Sequence, residues 1–160
     1  WGSIADKLLG RLTHVPLCVV GGTPDVGKIL VGLDASEGAM RAVDCVGTMV
    51  STHLGVTLYH AVRAPDEKIL HKAEKSMKSV FEKAIHRLEN AGFHRNQITA
   101  RTATGVLSRA GAVIRYALKG GYGTIVVGRR GLSEVEEFSM GRVSNKVIHM
   151  AQELAVWVVS

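Results

Sequence analysis

The sequence predicts an α/β fold of the doubly wound kind, a parallel sheet with helices on both faces. Two observations carry this. From Lys28 onward five short apolar runs alternate with four longer segments whose apolar residues recur every three or four positions. Such strict alternation favours parallel strands joined by right-handed helical crossovers.

Lys28 to Asp34 is an apolar run that ends in the small polar turn Ala35-Ser36-Glu37-Gly38, a buried strand feeding a helix start. Ser36 is placed to cap that helix, along which Ala39, Ala42, Val43, Val46, Met49 and Val50 form one stripe to about Ser51. Val56 to Val62 is the second strand. Glu67 to about Asn90 is a long charged helix with Ile69, Leu70, Ala73, Met77, Val80, Phe81, Ala84 and Leu88 on its apolar face, and Gly92 ends it. Gln97 to Ala103 alternates, Ile98 and Ala100 against Thr99 and Arg101, as a half-exposed edge strand does. Val106, Leu107, Ala110, Val113, Ile114 and Ala117 mark a third amphipathic helix closed by Gly120-Gly121. Thr124 to Gly128 is a strand too short and too apolar for a helix; a helix near Gly141 to Met150 and a last strand, Leu154 to Val159, complete the chain.

With 160 residues, 46% of them hydrophobic, the chain can bury one ordinary core. No window approaches the roughly 20 apolar residues of a membrane span, and the start lacks the order of a secretory signal, so a cytoplasmic protein is expected. The formal charge of +6 does not imply nucleic acid, because bases and acids are interleaved, as in Asp66-Glu67-Lys68 and Glu82-Lys83, without an aromatic basic stripe. Cys18 and Cys45 have no Cys or His at ligand spacing; both read as small buried hydrophobes, and no metal site is expected.

The two ends of the chain repeat one another. Gly2 to Val20 aligns without gaps on Gly141 to Val159, with Gly2, Lys7, Val19 and Val20 identical and Ile4, Asp6, Leu8 and Leu9 facing similar residues. The expected organisation is therefore the closing helix and strand of a preceding copy at 1–20, a linker at 21–27 rich in glycine with Pro24, and one complete domain at 28–160.

The chemistry points to one loop: Gly128-Arg129-Arg130-Gly131, nine residues, then Gly141-Arg142-Val143-Ser144. Small residues let backbone N–H groups approach a phosphate, and Gly141 opens a helix whose N-terminus carries positive partial charge. Together with an opening strand ending in Asp34 and a second strand ending in His60-Ala61-Val62, this loop resembles the nucleotide motif of the universal stress protein family. That motif runs Gly, two residues, Gly, nine residues, Gly, then Ser or Thr.

The resemblance spans Lys28 to Ser160 and implies a five-stranded parallel sheet in the order 3-2-1-4-5, the adenine nucleotide alpha hydrolase-like arrangement. Ligands bind where the winding direction of such a sheet reverses, and here Asp34 and Gly128 flank that point. The implied cofactor is ATP, with or without Mg2+. The implied site is Asp34 at the adenosine end, Ala61 by the adenine, and Val127, Gly128, Arg129, Gly131, Gly141, Arg142, Val143 and Ser144 around the ribose and phosphates. Arg142 departs from the motif's Ser or Thr: its guanidinium either pairs with phosphate or fills the phosphate site.

His60 reads as packed or hydrogen-bonded rather than catalytic, and Ser133, Ser139 and Ser144 have no identifiable base, so at most slow ATP hydrolysis is expected. Two readings stand: an ATP-binding regulatory module, or a dimerisation module of the same fold without nucleotide. Flavoprotein-like or other adenosine-phosphate chemistry lacks a matching signature. The final strand, Ala155 to Val159, is an apolar edge; family members commonly join through antiparallel pairing of these strands, so it is expected to pair with Leu17 to Val20, in the same chain as a tandem pseudo-dimer or in a neighbour as a homodimer.

Overall fold

A computed structural model describes residues 3–25, 27–63, 67–132 and 140–160, apart from the side chains of residues 3, 67–70 and 73. Gly2, Asp66, the side chains of Ile69, Leu70 and Ala73, and Ser133 and Ser139 of the nine-residue loop lie outside the described residues.

The leading segment forms helix α1 (Ser3–Arg11) and strand β1 (Leu17–Val20). The domain follows as β2 (Lys28–Gly32), α2 (Glu37–Met49), β3 (Gly55–Ala61), α3 (Glu67–Asn90), β4 (Ile98–Ala103), α4 (Arg109–Gly120), β5 (Thr124–Gly128), α5 (Arg142–Met150) and β6 (Ala155–Val159). Local chemistry sets the boundaries. Ser36 caps α2 by accepting from the Ala39 N–H at 3.2 Å, and Ser108 caps α4 by accepting from Gly111 at 3.3 Å. Because Ser108 is the cap, α4 starts after Val106 and Leu107, and Leu107 is exposed rather than part of the apolar stripe. The other end of α4 closes on Gly121, which adopts the left-handed φ of 66° that glycine alone takes without strain.

The sheet has six strands in the order β1-β6-β5-β2-β3-β4. Its last five are parallel and reproduce the expected order; β1 adds antiparallel to β6, the pairing expected of Leu17 to Val20, so that the sheet has six strands rather than five. Strand alternation splits the core in two. Leu30, Ile125, Val127, Val156 and Val158 face α4, α5 and Leu9 of α1, while Ile29, Val31, Val126 and Val159 face α2 and α3.

The expectation that both cysteines are buried holds for Cys45 and fails for Cys18, which is exposed. Leu17 and Val19 point to the face that α1 covers, so Cys18 and Val20 point to the opposite face, where α1 offers no cover. Among the described residues no helix is long and apolar enough to cross a membrane.

Candidate functional site at the carboxyl edge of the sheet

The site grows from the point where β2 and β5 lie side by side, Gly32 opposite Val127. Beyond β2 the chain runs Leu33-Asp34 and turns at once into α2. The Asp34 carboxylate stabilises that turn: its Oδ1 accepts from the Ser36 N–H at 3.0 Å and from the Ser36 hydroxyl. Oδ2 accepts no hydrogen bond among the described residues and lies over Gly131, where a Cβ would come within 2.8 Å of it. The loop therefore passes directly across a half-buried carboxylate.

The glycines of this loop do different jobs. A Cβ on Gly128 would sit 2.4 Å from the Gly38 carbonyl carbon, and one on Gly38 would sit 2.4 Å from the Arg130 carbonyl oxygen. These two glycines let the end of β5 rest on the first turn of α2. Gly141 is the N-cap of α5, donates its N–H to the Arg129 carbonyl at 2.8 Å, and brings no side chain to the cap. The first-turn amides of α5 consequently keep their polarity at the crevice, which suits an anion.

Arg142 occupies the first turn of α5, is exposed, and makes no hydrogen bond or ion pair among the described residues. Arg130 is exposed as well. Arg129 is a correction. Expected between the glycines as a phosphate partner, it is instead a buried residue, 5% exposed, whose guanidinium turns to the leading segment. It donates to the Leu9 carbonyl at 2.7 Å, the Leu12 carbonyl at 2.7 Å and the Ser160 hydroxyl at 3.1 Å. Burial, and then the charge of Arg130, push its pKa below the ordinary value.

Ser144 is buried and donates its hydroxyl to the Gly128 carbonyl at 2.6 Å, tying α5 to the end of β5. Val127 and Ala61 are core residues, 4% and 7% exposed, and Val143 packs half-buried against the same cluster. Gly128, Ser144 and Val127 are thus packed at the end of β5, while Asp34, Gly131 and Gly141 are half-buried and Arg142 is exposed. His60 donates from Nδ1 to the Leu33 carbonyl at 2.7 Å, the hydrogen-bonded role expected of it, and so holds the chain entering Asp34. Sequence reasoning did not find Gly38; the signal was a glycine in the first turn of a helix, where it serves no conformational purpose of its own.

Next to β5 in the sheet, β6 pairs with β1, Leu17 opposite Val158, Cys18 opposite Trp157, Val19 opposite Val156 and Val20 opposite Ala155. The end-to-end alignment makes Cys18 the equivalent of Trp157 and exchanges Leu17/Val158 with Val156/Val19. This is the register of a twofold axis passing through Cys18 and Trp157, the geometry of an isologous contact. The helices agree: Ser3–Arg11 and Arg142–Met150 occupy equivalent positions, and each is followed by the same bond, Leu12 N–H to Leu8 and Ala151 N–H to Val147.

Known proteins place this geometry. A universal stress protein UspA from Lactobacillus plantarum superposes with a TM-score of 0.72 at 15% identity, covering 86% of this chain and all of that one (100%). A universal stress protein in complex with cAMP gives 0.64 at 23% identity over 84% and 96% of the two chains. The universal stress protein from Archaeoglobus fulgidus in complex with dAMP gives 0.60 at 16% over 86% and 100%. No curated protein matches the sequence. The sequence matches the universal stress protein family over residues 26–160, and with the five parallel strands in the expected order the chain belongs to that family.

Proposed function

We propose that residues 28–160 bind an adenine nucleotide, ATP with Mg2+, as a regulatory module of the stress response that works by binding rather than by turnover. The observation that carries this is the Asp34 carboxylate: half-buried where β2 ends, its Oδ2 lies against Gly131, where an added Cβ would push the carboxylate aside. Asp34 would hold the adenosine end beside Ala61, and the first turn of α5 with Gly131, Gly141, Arg142 and Val143 would receive the ribose and phosphates. Of the two outcomes for Arg142, exposure without an internal partner favours the guanidinium reaching outward to phosphate. The relatives complexed with cAMP and dAMP support adenine as the base.

The segment 1–20 acts, in this reading, as the closing helix and strand of a second universal stress protein copy, joined through 21–27. The twofold register of β1 on β6 supports it, and the proposal is of a tandem pseudo-dimer in the cytoplasm. At most slow hydrolysis of ATP is expected: the His60 and Ser144 side chains are engaged with the Leu33 and Gly128 carbonyls, and Asp34 is assigned to the adenosine end rather than to the phosphates. The alternative, an interaction module without nucleotide, draws on the diversion of Arg129 from the loop to α1.

Mass spectrometry of ligand released from the denatured protein, with calorimetric titration of the emptied protein by ATP and Mg2+, separates the two. An adenine nucleotide and saturable binding are expected. Neither ligand nor any thermal stabilisation at millimolar ATP would leave the interaction module as the function.

A further inference from the structure

The C-terminal carbonyls of a helix have no partners within it, and the end of α1 presents one of them, Leu9, to Arg129, together with the carbonyl of Leu12 just beyond the helix. A guanidinium fork suits this better than an ammonium, because it spans two acceptors at once and complements the negative end of the helix dipole. The same residue is built into the loop. Its N–H donates to the Val159 carbonyl at 2.6 Å, and its carbonyl accepts from the Gly141 N–H at 2.8 Å, the cap of α5. One residue therefore touches the strand under the interface, the helix end of the leading segment and the start of the anion-facing helix.

We infer that Arg129 is the residue by which this domain grips the last helix of a companion copy, and that seating that helix and filling the anion loop favour each other. The sign follows from burial. With α1 in place the guanidinium of the buried Arg129 is satisfied, and its backbone holds Val159 and the Gly141 cap of α5. With α1 displaced, the guanidinium would exchange the Leu9 and Leu12 carbonyls for water, and the backbone it anchors between Val159 and the Gly141 cap would lose that restraint. A ligand that needs the held loop must then favour the docked segment, and linkage makes the effect reciprocal. Only the ligand half of this inference rests on the nucleotide reading.

Amide hydrogen exchange on the full chain tests it, read at Gly21, whose N–H donates to the Leu154 carbonyl at 3.2 Å just beyond β1. Without ligand, Arg129→Met is expected to speed exchange there by at least about tenfold, the loss of charged hydrogen bonds to two carbonyls. Arg129→Lys, which keeps the charge but not the fork, is expected to fall between and carries the test if the methionine variant does not fold. Unchanged exchange in the folded variants overturns the docking role. In the second arm ATP with Mg2+ is added and its occupancy measured by calorimetry. Exchange at Gly21 is expected to slow at least about threefold in the wild type and to stay unchanged in Arg129→Met. Bound ATP that leaves Gly21 unaltered overturns the link and spares the nucleotide reading. Absence of any ATP binding refutes the nucleotide reading and the link with it, and the docking role is then judged on the first arm.

Discussion

Replacing Gly128 with alanine tests whether that glycine serves packing or ligand. The new Cβ would lie 2.4 Å from the Gly38 carbonyl carbon, 2.5 Å from its oxygen and 2.8 Å from the Ala39 nitrogen. All three are backbone atoms, so no rotamer change relieves the clash and β5 must move away from α2. Overpacking of this kind costs about 3 kcal/mol, the upper part of its usual range. For a chain of this size that lowers the melting temperature by roughly 6–12 °C. Gly141→Ala is the control: its φ of −66° is open to any residue and the nearest atom to a Cβ is the Arg129 oxygen at 3.3 Å. A shift of no more than about 1 kcal/mol is expected there. Thermal unfolding followed by circular dichroism, without nucleotide, measures both. A Gly128→Ala melting point within about 2 °C of wild type, or an equal fall for Gly141→Ala, would refute the division of labour between the two glycines.

Three further outcomes are expected. Asp34→Asn weakens adenine nucleotide binding by about 10–100-fold, the value of a hydrogen bond to a charged acceptor, in a calorimetric titration; an unchanged affinity removes Asp34 from the site. Arg142→Ser, which restores the family's short hydroxyl, lowers ATP affinity several-fold and flattens its salt dependence, because an exposed cation acts through screened attraction. A gain in affinity would show that Arg142 blocks the site instead. Leu9→Ala removes a side chain 3% exposed in the core cluster and costs about 2–5 kcal/mol in urea unfolding, whereas a loss below about 1 kcal/mol would mean that α1 is not docked.

The parallel sheet was legible in the sequence because its signals are local. Apolar runs such as Thr124 to Gly128 are too short for helices, and Ser36 and Gly121 mark helix ends by their own chemistry. The pairing of Leu17 to Val20 with the last strand was also legible, through the repeat that made the two strands equivalent. What was not legible depends on contacts between distant segments. Glycine spacing alone does not distinguish Gly128, which touches Gly38, from Gly141, which leaves a helix end open. A doublet of arginines reads as uniform positive charge, yet Arg130 is exposed and Arg129 is drawn inward by carbonyls some 120 positions earlier in the chain, at Leu9 and Leu12. Cys18 was misread because its apolar neighbours conceal which face of the sheet a helix covers.

The most direct measurement of the central claim is calorimetric titration of the purified, ligand-free chain with ATP and Mg2+. Saturable binding at one nucleotide per chain, weakened by Asp34→Asn, is predicted. No heat of binding and no rise in melting temperature at millimolar ATP would contradict it.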